Sequence, residues 1–286
     1  MKQNSPLFYT LWSAAIILCV LISVFAFFFS ACSKQKEAAG EKGFTLEQEG
    51  AEAGGEDLSA GSETQQPEEQ SPASATARLT ETADAGHEYL DRFIFLGDST
   101  TYGIGYYYNQ GYTELCPPSQ VWTPASGTLT LSYYNIATIV YPETEEELTI
   151  AEAVGRAQPE YLMLTLGVNG VSFMDEEWFT RDYGALIDLI REASPETKII
   201  LNSIYPVATS YKWLNDINND KIRAANRWIE QLAGDKGVRF LNSYECLVGE
   251  AGSLPEEDQN GDGIHLNGEA FTKVMHYIRT HAYQEA

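Results

Sequence analysis

Residues 161–167 read Tyr-Leu-Met-Leu-Thr-Leu-Gly, a nearly unbroken apolar run. A strand wetted on one face alternates apolar and polar side chains, so this run belongs in a sheet covered on both faces, the usual state of a parallel sheet. Parallel neighbours need crossover connections of a dozen or more residues, and the surrounding chain supplies them. Strands are expected at 89–96, 131–140, 198–203 and 238–242, and helices at 145–157, 176–193 and 218–233. A last helix is capped by Asn267 and carries Phe271, Val274, Met275 and Ile278 at i, i+3, i+4 and i+7. This alternation predicts one α/β domain, a three-layer α/β/α sandwich around a central, mostly parallel sheet, over residues 86–286.

Two segments precede that domain. Residues 8–31 form an uncharged, strongly apolar run of 24 residues, long enough at about 1.5 Å per residue to cross a bilayer of about 30 Å. The run ends Phe29-Ser30-Ala31-Cys32, which resembles a bacterial lipoprotein signal although Phe29 stands where leucine is usual. Residues 1–32 are therefore expected to act as a lipoprotein-like signal or a membrane anchor. Attachment is through a lipidated Cys32 or an N-terminal transmembrane helix, with the rest of the chain on the extracytoplasmic face of the cell membrane. Residues 33–85 are rich in Glu, Ala, Gly, Ser, Gln and Thr and poor in aromatic and branched side chains. Such a stretch buries too little apolar surface to offset its ordering entropy, so it reads as a disordered acidic tether.

Charge narrows the function. With 18 Lys and Arg against 41 Asp and Glu, the chain carries a formal charge of -23. Nucleic-acid binding draws on clustered positive charge, so no nucleic-acid partner is expected, and a neutral or polar substrate is favoured over an anionic one. The four cysteines, at 19, 32, 116 and 246, lie too far apart for a cysteine-rich zinc site. Cys116 and Cys246 leave room for one disulfide, and Cys19 is apolar filler.

The polar clusters that end the apolar runs carry the chemistry, because ligands of open parallel sheets sit beyond the carboxyl ends of the strands. Ser99, in Phe-Leu-Gly-Asp-Ser-Thr, directly follows a strand. A serine on a strand-to-helix turn can present its hydroxyl as a nucleophile with its own N–H beside it, or merely help cap the next helix. His265 lies in Gly-Asp-Gly-Ile-His-Leu-Asn, with Asp262 three residues earlier. That spacing on a turn lets the aspartate accept from Nδ1 while Nε2 faces a serine, the relay of an acyl-transfer triad. Residues 258–269 also satisfy a calcium-loop pattern through Asp258, Asn260, Asp262, Gly263 and Glu269. The preceding segment is a poor helix and His265 occupies a normally apolar position, so no metal is assigned.

Phe-Leu-Gly-Asp-Ser-Thr, Leu-Gly-Val-Asn-Gly and Asp-Gly-Ile-His-Leu-Asn, in this order, resemble the first, third and fifth blocks of the SGNH (GDSL-like) hydrolase family across roughly 89–286. The resemblance implies a flavodoxin-like sandwich with Ser99 as nucleophile, His265 as general base and then acid, and Asp262 orienting it. Asn169 and the Ser99 N–H would donate to the oxyanion. The family needs no cofactor, and none is expected here. Two departures stand out: Gly170 replaces the Asp that usually follows the block-three Asn, and the stretch 134–138 offers no second-block glycine.

The implied activity is an extracytoplasmic serine esterase acting on an O-acyl, foremost an O-acetyl, ester, with a cell-envelope or other polysaccharide as candidate carrier. The alternatives are an acyltransferase using the same acyl-enzyme and a non-catalytic glycan-binding or scaffold domain. The aromatic segment 106–134 either lines the cleft or packs the loop on the sheet. Oligomeric state is not legible, and a monomer is compatible with these features.

Overall fold

A computed structural model describes residues 77–285. The segments expected to form the signal and most of the tether lie outside the described residues. Five strands make one all-parallel sheet in the order β2-β1-β5-β6-β7: β1 Phe93–Gly97, β2 Val121–Trp122, β5 Tyr161–Thr165, β6 Lys198–Asn202 and β7 Arg239–Leu241. A separate antiparallel ribbon pairs β3 Thr138–Val140 with β4 Glu147–Thr149.

Successive side chains of a strand point to opposite faces, and this sheet divides its apolar residues accordingly. Leu96, Leu162, Leu164, Ile199, Leu201 and Phe240 enter one core. Phe93, Phe95, Tyr161, Met163, Ile200 and Leu241 enter the other. The first core is closed by α3 Ile150–Ala157, α4 Glu176–Ala193 and α5 Asn219–Lys236. The second is closed by α1 His87–Leu90, α2 Ser99–Tyr108, α6 Tyr244–Leu247 and α7 Gly268–Thr280. This is the expected three-layer sandwich, and every residue of β5 is buried as a doubly covered strand requires.

The helices begin where side chains satisfy their first free N–H groups. Thr149 and Glu152 form a capping box on α3, Asp175 accepts from Trp178 N, Asn218 from Lys221 N and Asn267 from Ala270 N. The expected 176–193 helix has these bounds, whereas the 218–233 helix runs on to Lys236 and stops at Gly237, left-handed with φ 58°.

Three expectations are corrected. Tyr89 and Leu90 belong to α1, their side chains closing the core beneath the sheet, so β1 starts at Phe93. Of the strand expected over 131–140 only Thr138–Val140 is extended, and it pairs with Glu147–Thr149 in the ribbon, which shortens the helix expected over 145–157 to Ile150–Ala157. The main-sheet strand in this part of the chain is Val121–Trp122 instead.

The expected domain start at 86 also falls inside packed chain. Ala77 and Leu79 are buried, Leu79 N donates to Phe240 O, and Arg78 forms a paired hydrogen bond with Glu230 at 2.7 and 2.8 Å. Buried charge needs a partner, and residues 77–79 supply one for Glu230 while extending the sheet at β7. Arg78→Ala removes this paired hydrogen bond from the buried Glu230 and is expected to cost about 1–3 kcal/mol, read as a lower urea midpoint at unchanged slope.

Candidate active site

The strand order reverses between β1 and β5, whose residues pair from Phe93 with Tyr161 to Gly97 with Thr165. A crevice opens beyond the carboxyl ends of two such strands, and here the turns after β1 and β5 carry Ser99 and Asn169. Gly97 is required at the end of β1, since a Cβ there would fall 1.9 Å from Thr101 Oγ1 and 2.8 Å from Thr165 O.

Ser99 is the first residue of α2. Asp98 caps that helix, its Oδ1 accepting from Thr100 N at 2.9 Å and from Thr100 Oγ1 at 2.7 Å. The Ser99 N–H has no acceptor among the described residues and sits at the positive end of the α2 dipole, as an anion-binding donor does. Capping thus falls to Asp98 and leaves the Ser99 N–H outside that role.

His265 and Asp262 reach Ser99 from the loop before α7. His265 Nε2 is 2.8 Å from Ser99 Oγ, and Nδ1 is 2.6 Å from Asp262 Oδ2. The other carboxylate oxygen, Asp262 Oδ1, accepts from the backbone N–H groups of Ile264 and His265, both at 3.0 Å. Partial burial works to raise the Asp262 pKa, but these N–H groups and the His265 ring outweigh it and hold the carboxyl below its ordinary value. An ionised Asp262 keeps the proton on Nδ1 and leaves Nε2 free to accept from the serine hydroxyl.

The loop around this pair is tied down at both ends. Asn260 N donates to His265 O and Asn267 N to Asp258 O. The buried Asp258 carboxylate is held by Lys273 Nζ at 2.6 and 2.7 Å. Both carboxylates at the heart of the calcium-loop pattern are therefore engaged by protein donors.

Asn169 lies in the turn after β5, where Gly167, at φ 121°, accepts from Gly170 N and Val171 N. Its Nδ2 donates to Asp98 Oδ2 at 2.9 Å and to Leu129 O at 3.2 Å. Both amide hydrogens have acceptors, so donation to an oxyanion requires exchange of one of these bonds, the longer being that to Leu129. A Cβ on Gly170 would meet the flexible Met174 side chain at Sδ, 2.6 Å away, and Gly167 O at 3.3 Å. Asp98, from the first block, holds Asn169 in this chain.

A glycine does stand beside Ser99, although not within 134–138. A Cβ on Gly127, whose φ is 72°, would lie 3.9 Å from Ser99 Cβ. Its N–H closes a turn onto Pro124 O, and the left-handed backbone of that turn is what favours glycine here.

A cleft of about 420 Å³ opens in front of Ser99 and His265, walled by Tyr102, Tyr106, Tyr107, Leu266 and Phe271. Cys116 and Cys246 are free: Cys116 Sγ faces Met275 Sδ and Cys246 Sγ bonds Ser243 O, so the disulfide considered from sequence is not formed.

The GDSL-like Lipase/Acylhydrolase family matches residues 95–271, more than half of the chain. The chain belongs to this family. Among solved structures, a Streptococcus pneumonia protein described as a platelet activating factor is 20% identical, with the match covering 67% of this chain and 84% of that one at a TM-score of 0.51. A GDSL-like lipase from Bacteroides thetaiotaomicron is 19% identical, covering 72% of this chain and 91% of that one at a TM-score of 0.49. No curated protein matches. Within this GDSL-like hydrolase domain the matched span takes in Ser99, Asn169, Asp262 and His265.

Burial lifts the Asp98 carboxyl to about 6, against the opposing pull of its bonds from Thr100 and the field of His265. The folded protein therefore keeps this proton up to about pH 6, while the unfolded chain releases it near pH 3.9. Stability contributed by this group consequently falls as pH rises between those values. Asp98→Asn is expected to flatten that part of the urea-midpoint profile, measured from pH 4 to 7. Asn169→Ala is expected to lower kcat about 10²–10³-fold on an activated ester with the fold retained by circular dichroism and, because it strips a donor from the buried Asp98 carboxyl, to cost about 1–3 kcal/mol of stability read from urea unfolding.

Proposed function

We propose that the protein is a serine esterase that hydrolyses an O-acyl ester through an acyl-enzyme. The observation that carries this reading is the continuous hydrogen-bonded line from Asp262 through His265 to Ser99, at 2.6 and 2.8 Å. Ser99 Oγ attacks the ester carbonyl as its proton passes to His265 Nε2. The Ser99 N–H, joined by an Asn169 amide hydrogen released from Leu129 O, bears the negative charge of the tetrahedral intermediate. Collapse expels the alcohol with the proton from His265 and leaves the acyl group on Ser99. Water, deprotonated by His265, then attacks the acyl-enzyme, and the intermediate collapses to the acid as His265 returns the proton to Ser99 Oγ. Asp262 stays ionised throughout and stabilises the imidazolium formed in each half-reaction.

The finer features of the reading are a small acyl group, foremost acetyl, and an extracytoplasmic setting on the cell membrane, with a cell-envelope or other polysaccharide bearing the ester. The apolar run 8–31 and Cys32 support the setting. The bulky Tyr107 and Phe271 on the cleft wall favour a small acyl group.

Ser99→Ala is expected to lower the hydrolysis of p-nitrophenyl acetate by at least about 10³-fold with an unchanged circular dichroism spectrum. Retained turnover in the purified variant would remove the proposed nucleophile. Asp262→Asn, which keeps the size of the side chain but loses the charge, is expected to cost kcat roughly 10²–10⁴-fold.

A further inference from the structure

Tyr102 and Tyr106, one turn apart on α2, form a ridge between the catalytic cleft and a second one. Both rings are about half exposed, 57% and 49%, with centroids 6.3 Å apart. Beyond the ridge lies a cleft of about 470 Å³ between α2, the segment after β2 and the β3–β4 ribbon. This volume is within the ~300–1,000 Å³ of small-molecule sites. The ribbon is fastened there by Val140 N donating to Thr123 O.

The second cleft is lined by apolar Pro118, Val121 and Pro142 together with the exposed Asn109, Gln110 and Glu145. None of these three side chains has a hydrogen-bond or ion-pair partner among the described residues. Glu145 further holds a left-handed backbone at φ 58°, costly for a residue with a Cβ, in a loop that lines this cleft. Aromatic faces beside planar amide and carboxylate groups match the chemistry of a sugar ring, whose C–H faces stack on tyrosine while its hydroxyls bridge polar side chains. No Lys or Arg lines either cleft, and Glu145 would repel an anion. The catalytic cleft, with Tyr107, Leu266 and Phe271, already has apolar walls for an acyl group, which leaves the second cleft to the alcohol side of the ester.

The geometry points to the second cleft as a binding site for neutral saccharide units of the ester's alcohol moiety, continuous across the Tyr102–Tyr106 ridge with the ester at Ser99. This rests on the esterase reading for its orientation but not for the binding itself. Isothermal titration of the full chain in detergent micelles, carrying Ser99→Ala, with cellotriose, xylotriose and triacetylchitotriose tests it without turnover. At least one neutral trisaccharide is expected to bind saturably and more tightly than its monosaccharide. Adding Asn109→Ala and Glu145→Ala is expected to weaken that binding about tenfold, the loss of one or two hydrogen bonds.

In parallel, the chain with Ser99 intact is assayed on p-nitrophenyl acetate and octanoate. Ser99-dependent acetate hydrolysis with no trisaccharide binding overturns the saccharide site and leaves the esterase reading standing. Saccharide binding without Ser99-dependent hydrolysis supports the site and overturns the esterase reading. A preference for octanoate that disappears with Asn109→Ala and Glu145→Ala assigns the second cleft to the acyl chain and overturns the proposal.

Discussion

The buried carboxylate of Asp98 is the contact on which the rest of the site depends. One oxygen closes the start of α2 through Thr100, and the other takes the amide of Asn169, so a single side chain joins the turn after β1 to the turn after β5. A carboxylate placed here is expensive to keep out of water unless its lone pairs are used, and three donors use them. The same arrangement explains why Ser99 can be the first residue of a helix with its N–H unspent: the capping is done one residue earlier and directed one residue later.

The two-sided core makes that contact possible. Each strand of the parallel sheet sends alternate residues to opposite helical layers, so β1 and β5 are gripped from both faces and their carboxyl ends are held in register. The loop before α7 is anchored independently, by Asp258 on Lys273 and by the backbone pairing of Asn260 with His265. Ser99 and His265 are thus carried by separate, rigid supports that meet in one cleft. Catalytic constellations held in this way lose little entropy at the moment of reaction.

Much of this was legible along the chain, and the reasons differ by element. The run 161–167 announced a doubly covered strand because burial on both faces removes polar residues from the pattern, and the helix at 176–193 was bounded by a strong cap at Asp175. Ser99, Asp262 and His265 were readable because strand ends and an i, i+3 turn place short-range partners predictably. Val121–Trp122 was not readable, since two residues carry no periodicity, and a run of aromatic turn residues hides them. Nor was Gly127, whose position beside Ser99 depends on where that short strand docks. The engagement of Asn169 by Asp98, 71 residues apart, is a tertiary fact to which local spacing is blind. Composition likewise assigned residues 77–85 to the tether, because pairing with β7 draws on backbone groups that composition does not report.

That pairing has a mechanical side. The sheet ends at β7, two strands from β5, and Leu79 and Arg78 lie along this outer edge, bonded to Phe240 and Glu230. A pull transmitted along the polypeptide from upstream enters the domain at that border. Among the described residues, the bonds nearest that border are those of Arg78 and Leu79. The described chain thus enters the sheet at its outer border, with β6 and β7 lying between that entry and the crevice that holds Ser99 and Asn169.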